Sequence, residues 1–443
     1  MVVFKRKLYD ELLEWKRESN GRTAMLIKGA RRVGKSTLAR EFAKNEYKSF
    51  IAIDFATCQP RVIDLFNDIS DLDTFFMHLQ VVYDVELHRR NSLIIFDEVQ
   101  KCPLARQAIK HLVADGRYDY IETGSLISIR QNVKDIIIPS EEESVILHPL
   151  DFEEFNWAIG HGVSFNILRQ FFEKRQPLGP AHRKEMRDFR LYMLVGGMPQ
   201  AVNEYLETKN LAKVDKVKRQ IIELYEDDFN KLDGGRYASK LFRSIPSQLT
   251  SNASRFLVSA AVEGSRIDRL EETIYDMADS MVVNLAYHVN DPNVGMAFNR
   301  SDRIFKMYVC DTGLFVTLAF WDKKFVDNVI YEKLLNDKLS ANLGYVYENM
   351  VAQIFRASGH HLYYYTFPKD DGRHLYEIDF LLSDGDKVDP IEVKSSGYKT
   401  HASLDAFFKK YHDRIKQQYL IYTKDLQKDG LVTYLPIYMA PFL

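Results

Sequence analysis

The sequence is poor in cysteine and contains no long apolar run. Its three cysteines, Cys58, Cys102 and Cys310, are scattered and match neither a metal-binding spacing nor a disulfide framework, which favours a reducing cytoplasm. No apolar run approaches the ~20 residues that a membrane-spanning helix needs. The N-terminal stretch MVVFKRKLYDELLEW lacks the apolar core of a secretory signal. We therefore expect a soluble, cytoplasmic protein with no membrane partner.

The sequence also lacks a large excess of positive or negative charge. Lys and Arg total 60 against 62 Asp and Glu, which leaves a formal net charge of −2. The chain as a whole is therefore not a polycation, and any nucleic-acid site must be a local basic patch. With 443 residues, 46% of them hydrophobic, and only 13 prolines, the composition is that of an ordinary globular protein. Such a length accommodates about two to four domains.

Residues 29–36 read GARRVGKS, a full match to the phosphate-loop pattern G-x-x-x-x-G-K-S/T. The two glycines let the backbone approach phosphates closely, Lys35 reaches the β- and γ-phosphates, and Ser36 ligates Mg²⁺. An apolar run before the loop predicts a strand, and helical spacing after it predicts a helix, which favours an ATP site over a chance glycine turn. The residues expected to bind the nucleotide are Gly29, Arg31, Arg32, Val33, Gly34, Lys35, Ser36 and Thr37.

The second feature typical of a nucleotide site is an acidic pair that follows a predicted buried strand. The apolar run at residues 92–96 leads directly into Asp97 and Glu98. At the carboxyl end of a strand, Asp97 can hold Mg²⁺ and Glu98 can polarise the attacking water as a general base. The alternative is that both are solvated acidic residues at the start of a loop. Their position after a strand, about 60 residues beyond the glycine loop, favours the catalytic interpretation.

The next predicted strand, residues 118–122, ends in Thr123-Gly124-Ser125. Thr123 and Ser125 are both candidates for contact with the γ-phosphate or the lytic water, and a plain strand-to-helix turn explains them equally well. Further strands are predicted at residues 49–55 and 143–147. Because strands and helices alternate, we expect an α/β fold with a parallel sheet and ligands at the carboxyl ends of the strands.

The segments GARRVGKST, LIIFDEVQ, ETGS and HPLDFEEF, in this order, resemble a family of bacterial and archaeal AAA-domain P-loop ATPases. These ATPases carry a C-terminal domain of unknown function and are related to the origin-recognition and STAND branch. Many family members have proline where this chain has Ala30. The resemblance implies a P-loop ATPase domain at residues 1–160, a helical lid at 161–235, a winged helix-turn-helix at 236–325 and a nuclease-like domain at 326–443.

The resemblance also assigns a lid proline. Gly196-Gly197-Met198-Pro199 matches the family's glycine–x–proline lid motif, which makes Pro199 a candidate for contact with the adenine. A helix that ends at glycine and a new one that starts at proline would give the same residues. Arg130 and Arg236 are open candidates for an arginine finger, which would imply self-association through the ATPase domain.

Three short helices and two strands are predicted between residues 240 and 309, the element order of a winged helix. Its third helix would enter a DNA groove. The charges there are mixed and make a poor phosphate footprint, so contact with DNA and contact with protein both stay open. These charged residues are Arg266, Asp268, Arg269, Glu271 and Glu272.

The C-terminal segments YENMVAQIF, EIDFLL and IEVKSS resemble the PD-(D/E)xK nuclease fold, an α/β restriction-endonuclease-like domain. Asp379 and Glu392 would hold Mg²⁺ or Mn²⁺, with Glu348 as an additional ligand. Lys394, which shares a strand face with Glu392, would orient the lytic water or neutralise charge on the scissile phosphate. The alternative is an inert fold that serves as a binding module.

Two functions therefore compete. In one, ATP hydrolysis drives a winged helix and a nuclease-like domain on DNA. In the other, a nucleotide-switched regulatory ATPase recruits a protein partner through an inert C-terminal fold. A kinase-like transferase is a weaker third hypothesis, because the Asp97-Glu98 pair fits a hydrolase better.

Overall fold

The computed structural model describes residues 2–124, 140–162, 164–232, 236–251, 253–322, 331–332, 335–336 and 344–443. The chain divides into two compact units. The first comprises Met1–His148 with Asp279–Met281, and the second comprises Pro149–Ala278 with Val282–Leu443. Within the described ranges, no helix has both the length and the apolar character that crossing a membrane requires.

Five parallel strands form the sheet of the first unit, in the spatial order β2-β3-β4-β1-β5. The predicted parallel sheet is confirmed. Every residue of β3 and β4 is buried, which is usual for parallel strands covered on both faces. The strands are β1 Ala24–Lys28, β2 Ser49–Asp54, β3 Ser92–Asp97, β4 Asp119–Gly124 and β5 Glu142–Ile146.

The strand order decides where the site lies. β4 pairs with β1 on one side and with β3 on the other. The carboxyl ends of the strand before the glycine loop, the strand that ends at Asp97 and the strand that contains Thr123 therefore meet at one edge of the sheet.

The helices of the first unit pack apolar faces against this sheet. In α2, for example, Leu38, Ala39, Phe42 and Ala43 are buried, one face of a helix with 3.6 residues per turn. The helices are α1 Leu8–Ser19, α2 Lys35–Glu46, α3 Pro60–Asp64, α4 Leu72–Tyr83 and α5 Pro103–Asp115, with 3₁₀ turns at Leu65–Asn67 and Val99–Lys101.

The second unit begins with a capped helix and continues mainly as helices. The Asp151 side chain accepts a hydrogen bond from the backbone N–H of Glu154 at 2.8 Å, and the Glu154 carboxylate accepts one from the N–H of Asp151 at 3.2 Å. The helices are α6 Phe152–Ala158, α7 Ser164–Glu173, α8 His182–Val195, α9 Pro199–Thr208, α10 Leu211–Leu232, α11 Tyr237–Thr250, α12 Val258–Ala261, α13 Ile267–Asp279, α14 Met296–Asn299, α15 Thr312–Ala319, α16 Gly344–Ala357 and α17 Ala402–Tyr411, with 3₁₀ turns at Gly179–Ala181, His412–Arg414 and Ile437–Phe442.

Two sheets complete the second unit. One has the order β7-β6-β8-β9 and the other has the order β10-β11-β12-β14-β13. The predicted wing strands, β6 and β7, pair antiparallel, and β6 also pairs in parallel with β8 of the C-terminal segment. The strands are β6 Val283–Val289, β7 Arg300–Val309, β8 Leu362–Pro368, β9 Leu375–Ile378, β10 Phe380–Asp384, β11 Lys387–Val393, β12 Gln418–Tyr422, β13 Gln427–Asp429 and β14 Val432–Pro436.

Candidate functional site

The glycine loop connects β1 to α2, as the motif requires. Gly34 immediately precedes the helix with φ 100°, in the left-handed region that favours glycine. At Gly29, φ is 153°, and a side-chain Cβ would lie 2.3 Å from the carbonyl oxygen of Leu147. Both glycines are therefore needed for the path of the loop. The backbone N–H groups of this loop and the start of α2 form an anion-binding arrangement.

Lys35 is buried at the first position of α2 and lies over its own loop. Its Nζ donates to the carbonyl oxygens of Gly29 at 2.9 Å and Ala30 at 3.0 Å. Burial lowers the pKa of Lys35 to about 8, although the carboxylates of Glu98 and Asp97 act in the opposite direction. A phosphate anion bound next to this buried ammonium group would stabilise its charged form.

Ser36 and Asp97 bring the loop and β3 together. The Ser36 hydroxyl donates to Oδ1 of Asp97 at 2.7 Å. The Thr123 hydroxyl donates to the same oxygen, and Arg40 Nη2 lies 3.8 Å from Asp97 Oδ2. A hydroxyl beside a carboxylate is a hard oxygen donor set of the kind that Mg²⁺ prefers, so Ser36 and Asp97 fit the predicted ion.

Glu98 follows β3 in a left-handed backbone conformation, with φ 55°. Such a conformation is uncommon for a residue other than glycine and turns the side chain away from the direction of the strand. The Gln100 side-chain amide donates to Oε2 of Glu98. The Glu98 backbone N–H contacts the Thr123 hydroxyl at 3.4 Å. Gln100 thus orients the predicted general base, a role that the sequence did not suggest.

Arg6 is a second residue that sequence reasoning missed. It is buried, and its guanidinium donates to the carbonyl oxygen of Val33 at 3.0 Å and to that of His148 at 2.6 Å. Val33 is inside the glycine loop, so Arg6 fixes the loop to the segment that follows β5. No local sequence pattern signals this contact, because Arg6 lies 27 residues before Val33.

The other predicted nucleotide-binding residues have mixed positions. Val33 is fully buried, whereas Arg31 and Arg32 within the loop and Thr37 directly after it are exposed. Pro199 starts α9 in the second unit, and its contact with adenine stays a prediction. Ser125 and Arg130 lie outside the described residues.

The C-terminal segment contains a separate group of carboxylates. Glu348 on α16, Glu377 on β9 and Asp379 directly after β9 each place an oxygen within 4.8 Å of the others. Sequence reasoning found Glu348 and Asp379 but missed Glu377. The signal was available, because Glu377 and Asp379 are two residues apart in an extended segment and share one face.

A lysine lies inside this group. Lys306 Nζ is 2.8 Å from Glu348 Oε1 and 2.5 Å from Glu377 Oε1. Burial alone would lower the pKa of Lys306, but the carboxylates, Glu348 foremost, raise it well above its usual value. The Tyr308 hydroxyl also donates to Glu348 Oε1 at 2.5 Å. Burial, together with Glu348, raises the pKa of Asp379 well above its usual value.

Glu392 and Lys394 lie on or directly after β11, next to this group: the backbone N–H of Val393, between them, donates to Asp379 Oδ2 at 2.7 Å. Lys394 Nζ is 3.1 Å from Glu392 Oε1 and also donates to the Thr400 carbonyl oxygen. Among the described residues, the acidic group within metal-ligand reach comprises Glu348, Glu377 and Asp379 and does not include Glu392. The Lys306 ammonium already contacts two of its three carboxylates, so a divalent ion would compete with it. The metal-binding role of Glu348, Asp379 and Glu392 stays a prediction.

The segment predicted as a winged helix contains three helices followed by strands β6 and β7, but the short helix α14 lies between the two strands. The winged-helix assignment stays a prediction. Its basic side chains make internal contacts: Arg303 pairs with Asp268 at 2.9 Å, and Arg269 Nη2 donates to the Tyr237 hydroxyl at 3.1 Å. The groove-binding role of α13 therefore stays a prediction.

Three family models match the chain. Residues 21–156 match a family described as AAA domain. Residues 186–324 match a domain of unknown function (DUF8612), and residues 343–439 match another domain of unknown function (DUF4143). A search of curated proteins finds no match.

Several solved structures show distant similarity to the chain. The Aeropyrum pernix ORC1 protein in complex with DNA is 12% identical, with 76% of this chain and 93% of that chain covered and a TM-score of 0.30. The Thermotoga maritima RuvB Holliday junction branch migration motor is 12% identical, with 63% and 89% covered and a TM-score of 0.29. A signal transduction ATPase with numerous domains from Pyrococcus horikoshii is 12% identical, with 80% and 46% covered and a TM-score of 0.28.

The match over residues 21–156 spans the parallel sheet, the glycine loop and the acidic pair at the end of β3. The local geometry and the family model agree on this segment. It combines a match to the AAA domain model with the strand, glycine loop, helix and strand-end acid expected of a P-loop nucleotide site.

Proposed function

We propose that this chain is an ATP hydrolase that works with Mg²⁺. The observation that carries the proposal is the hydrogen bond from Ser36 to Asp97, which joins the loop residue and the strand-end acid that such a site requires. Lys35 and the loop N–H groups bind the phosphates. Ser36 and Asp97 hold Mg²⁺, whose chemistry is to neutralise charge that develops on the phosphates.

The remaining residues act on the water molecule. Glu98, directly after Asp97, accepts the proton of the attacking water, and Gln100 keeps the Glu98 carboxylate oriented. Thr123 on β4 hydrogen-bonds to the Asp97 carboxylate and to the backbone N–H of Glu98. These two contacts hold the acidic pair against the end of β4.

The test is ATP turnover by the full-length chain. Lys35→Ala should lose nucleotide binding and turnover together. Glu98→Gln should retain binding and lose turnover by about 10²- to 10⁴-fold, the usual contribution of a general base. Lys44→Ala, which removes an exposed lysine from the same helix α2, is the matched control and should behave like the wild type. Full turnover by Glu98→Gln would refute the assignment of the base.

We further propose that the nucleotide state of the first unit controls the C-terminal segment. The sequence leaves two hypotheses for the function of the C-terminal segment. DNA cleavage is supported by the convergence of Glu348 and Asp379 with Glu377. A nucleotide-switched binding module is supported by the cation already present in that group and by the Glu392–Lys394 pair. We favour the binding module, because the Lys306 ammonium already contacts two of the three carboxylates.

A DNA nicking assay separates the two versions. The wild type and Glu392→Ala are incubated with plasmid DNA, Mg²⁺ or Mn²⁺, and ATP. The favoured version predicts no nicking by either protein and unchanged ATP turnover in Glu392→Ala. Metal-dependent nicking that is lost in Glu392→Ala would establish the nuclease. Stimulation of ATP turnover by DNA would identify DNA as the ligand of the module.

The family resemblance also supports self-association through the first unit and a cytoplasmic location. The three cysteines are free, in keeping with a reducing compartment. Sedimentation of the chain with and without Mg²⁺ and ADP tests self-association.

A further inference from the structure

The group formed by Glu348, Glu377 and Asp379, here the carboxylate cluster, is organised around a side chain of this protein. Lys306 is only 5% exposed, and lysine is almost never buried at this level unless it is paired. Two of its three N–H donors are used by Glu348 Oε1 and Glu377 Oε1. The ring of Tyr364 lies 5.5 Å from Nζ and covers a further side of the ammonium group.

The lysine and the carboxylates come from different segments of the sequence. Lys306 lies on β7, within the segment 186–324, whereas all three carboxylates lie within the segment 343–439. Backbone pairing fixes this meeting, because β7 pairs with β6, β6 pairs with β8, and β8 pairs with β9, which carries Glu377. The cation is therefore supplied to the C-terminal segment by the strand predicted to be a wing.

We propose that Lys306 is the resident cation of the carboxylate cluster and takes the place of a divalent metal ion there. An ion bound at the cluster would share Glu348 Oε1 or its neighbours with the Lys306 ammonium, which is 2.8 Å from that oxygen. Because two cations at such short range repel each other, a divalent ion and the charged Lys306 side chain should compete for the same carboxylates.

The consequence is a latent metal site. Removal of the lysine charge leaves three carboxylates whose oxygens lie within 4.8 Å of one another, a donor set for a hard divalent cation. In the wild type, Lys306 already supplies a positive charge to the cluster, so we expect no divalent ion to bind there. This inference does not rest on ATP hydrolysis, because the glycine loop belongs to the other unit.

The experiment measures Mn²⁺ bound to the nucleotide-free, full-length chain by the electron paramagnetic resonance of the free ion. Lys306→Met should gain about one Mn²⁺ per chain relative to the wild type, and Mn²⁺ should raise its melting temperature. The double variant Lys306→Met with Glu348→Gln should lose both effects. Lys416→Met is the matched control, because it removes a lysine from an exposed pair with Asp384 in the same unit and should gain no ion.

A second comparison decides the matter even if Lys306→Met does not fold. Glu348→Gln alone should bind the same number of Mn²⁺ ions as the wild type. A wild-type Mn²⁺ ion that disappears in Glu348→Gln would overturn the proposal. So would a folded Lys306→Met variant that binds no more Mn²⁺ than the wild type.

Discussion

At the scale of single residues, the glycine loop depends on an arginine far from it in sequence. Arg6 donates to two backbone carbonyl oxygens, of Val33 and His148, in a buried setting. A carbonyl oxygen left buried without its partner costs about 1–3 kcal/mol. Since Val33 is a loop residue, part of that cost should fall on the conformation that binds phosphate.

We predict that Arg6→Ala raises the KM for ATP by roughly tenfold, the effect of about 1.4 kcal/mol, while kcat changes less. Arg6 supports the loop and does not touch the predicted water site, so binding should suffer more than chemistry. Arg22→Ala is the control, because Arg22 also donates to two carbonyl oxygens but is exposed. Steady-state ATP turnover measures both constants, and an unchanged KM in Arg6→Ala would contradict the assigned role.

The contrast between Arg6 and Lys35 indicates what sequence reveals at this scale. Lys35, Ser36, Asp97 and Glu98 were identified because a fixed local spacing, or a position at a strand end, signals their chemistry. Arg6 has no such signal, and neither does Lys306, whose partners Glu348 and Glu377 lie 42 and 71 residues away. Contacts between side chains so far apart depend on strand order and register, which composition and periodicity do not encode.

At the scale of elements, a buried aspartate joins two glycine-containing turns in the second unit. Asp311 caps α15 by accepting from the N–H of Leu314 at 2.9 Å, and it also accepts from the N–H of Gly197 at 2.6 Å. The Gly197 carbonyl in turn accepts from the N–H of Leu150 at 2.7 Å. Hydrogen bonds of Asp311 and Gly197 therefore connect three segments: the turn before α9, the start of α15 and the segment before α6.

We predict that Gly197→Ala destabilises the second unit by about 1–3 kcal/mol or more, because an added Cβ would lie 2.1 Å from the Leu150 carbonyl oxygen. Gly162→Ala is the matched control. A Cβ there meets a Trp157 ring atom at 3.7 Å, an ordinary contact, and neither glycine has a positive φ. Thermal unfolding gives the melting temperature of both variants. Equal melting temperatures would show that the backbone near Gly197 and Leu150 shifts to accept the added Cβ at little cost in free energy.

Helix α10 of the second unit contains a buried lysine, Lys218, whose titration makes the stability of the fold depend on pH. Lys218 on α10 donates to the carbonyl oxygens of Leu194 at 2.7 Å and Gly313 at 3.1 Å, and to the Tyr331 hydroxyl. Burial lowers the pKa of Lys218 to about 8, against the opposing effects of Asp215 and Asp311. In the unfolded chain the pKa of lysine is about 10.4.

The unfolded chain therefore binds more protons than the folded chain between about pH 8 and pH 10.4. Its free energy of unfolding should rise with pH in that window, by at most about 1.4 kcal/mol per pH unit from this residue. Lys218→Met should lack this part of the slope. Urea unfolding of both proteins across the window measures the difference, and identical slopes would show that Lys218 keeps its charge.

Sequence reasoning identified most strands and helices but not how the C-terminal strands pair. Periodicity predicts that β6 and β7 are strands, and their hairpin forms. It does not reveal that β6 also pairs in parallel with β8, since that contact joins Ala286 to Leu362. In the first unit the alternation of strands with helices predicts a parallel sheet, and the observed pairing confirms it.

At the scale of the whole molecule, the chain has two compact units, and the nucleotide site lies within the first. A ligand stabilises the part of a protein that its binding site belongs to, by about 2.7 kcal/mol at a hundred times its dissociation constant. We therefore predict two transitions in calorimetry of the full chain. Mg²⁺ with ADP should raise one of them, by roughly 5–11 °C for 2.7 kcal/mol in a unit of this size.

Variants assign the two transitions. Lys35→Ala should abolish the shift caused by ADP, because it removes the buried ammonium that is proposed to bind the phosphates. Gly197→Ala should lower the other transition and leave the ADP shift intact, since Gly197 packs within the second unit. If ADP raised both transitions, or if one transition alone were seen and moved as a whole, the units would unfold together. Nucleotide binding would then stabilise the C-terminal segment directly, a stronger coupling than a switch between independently stable units.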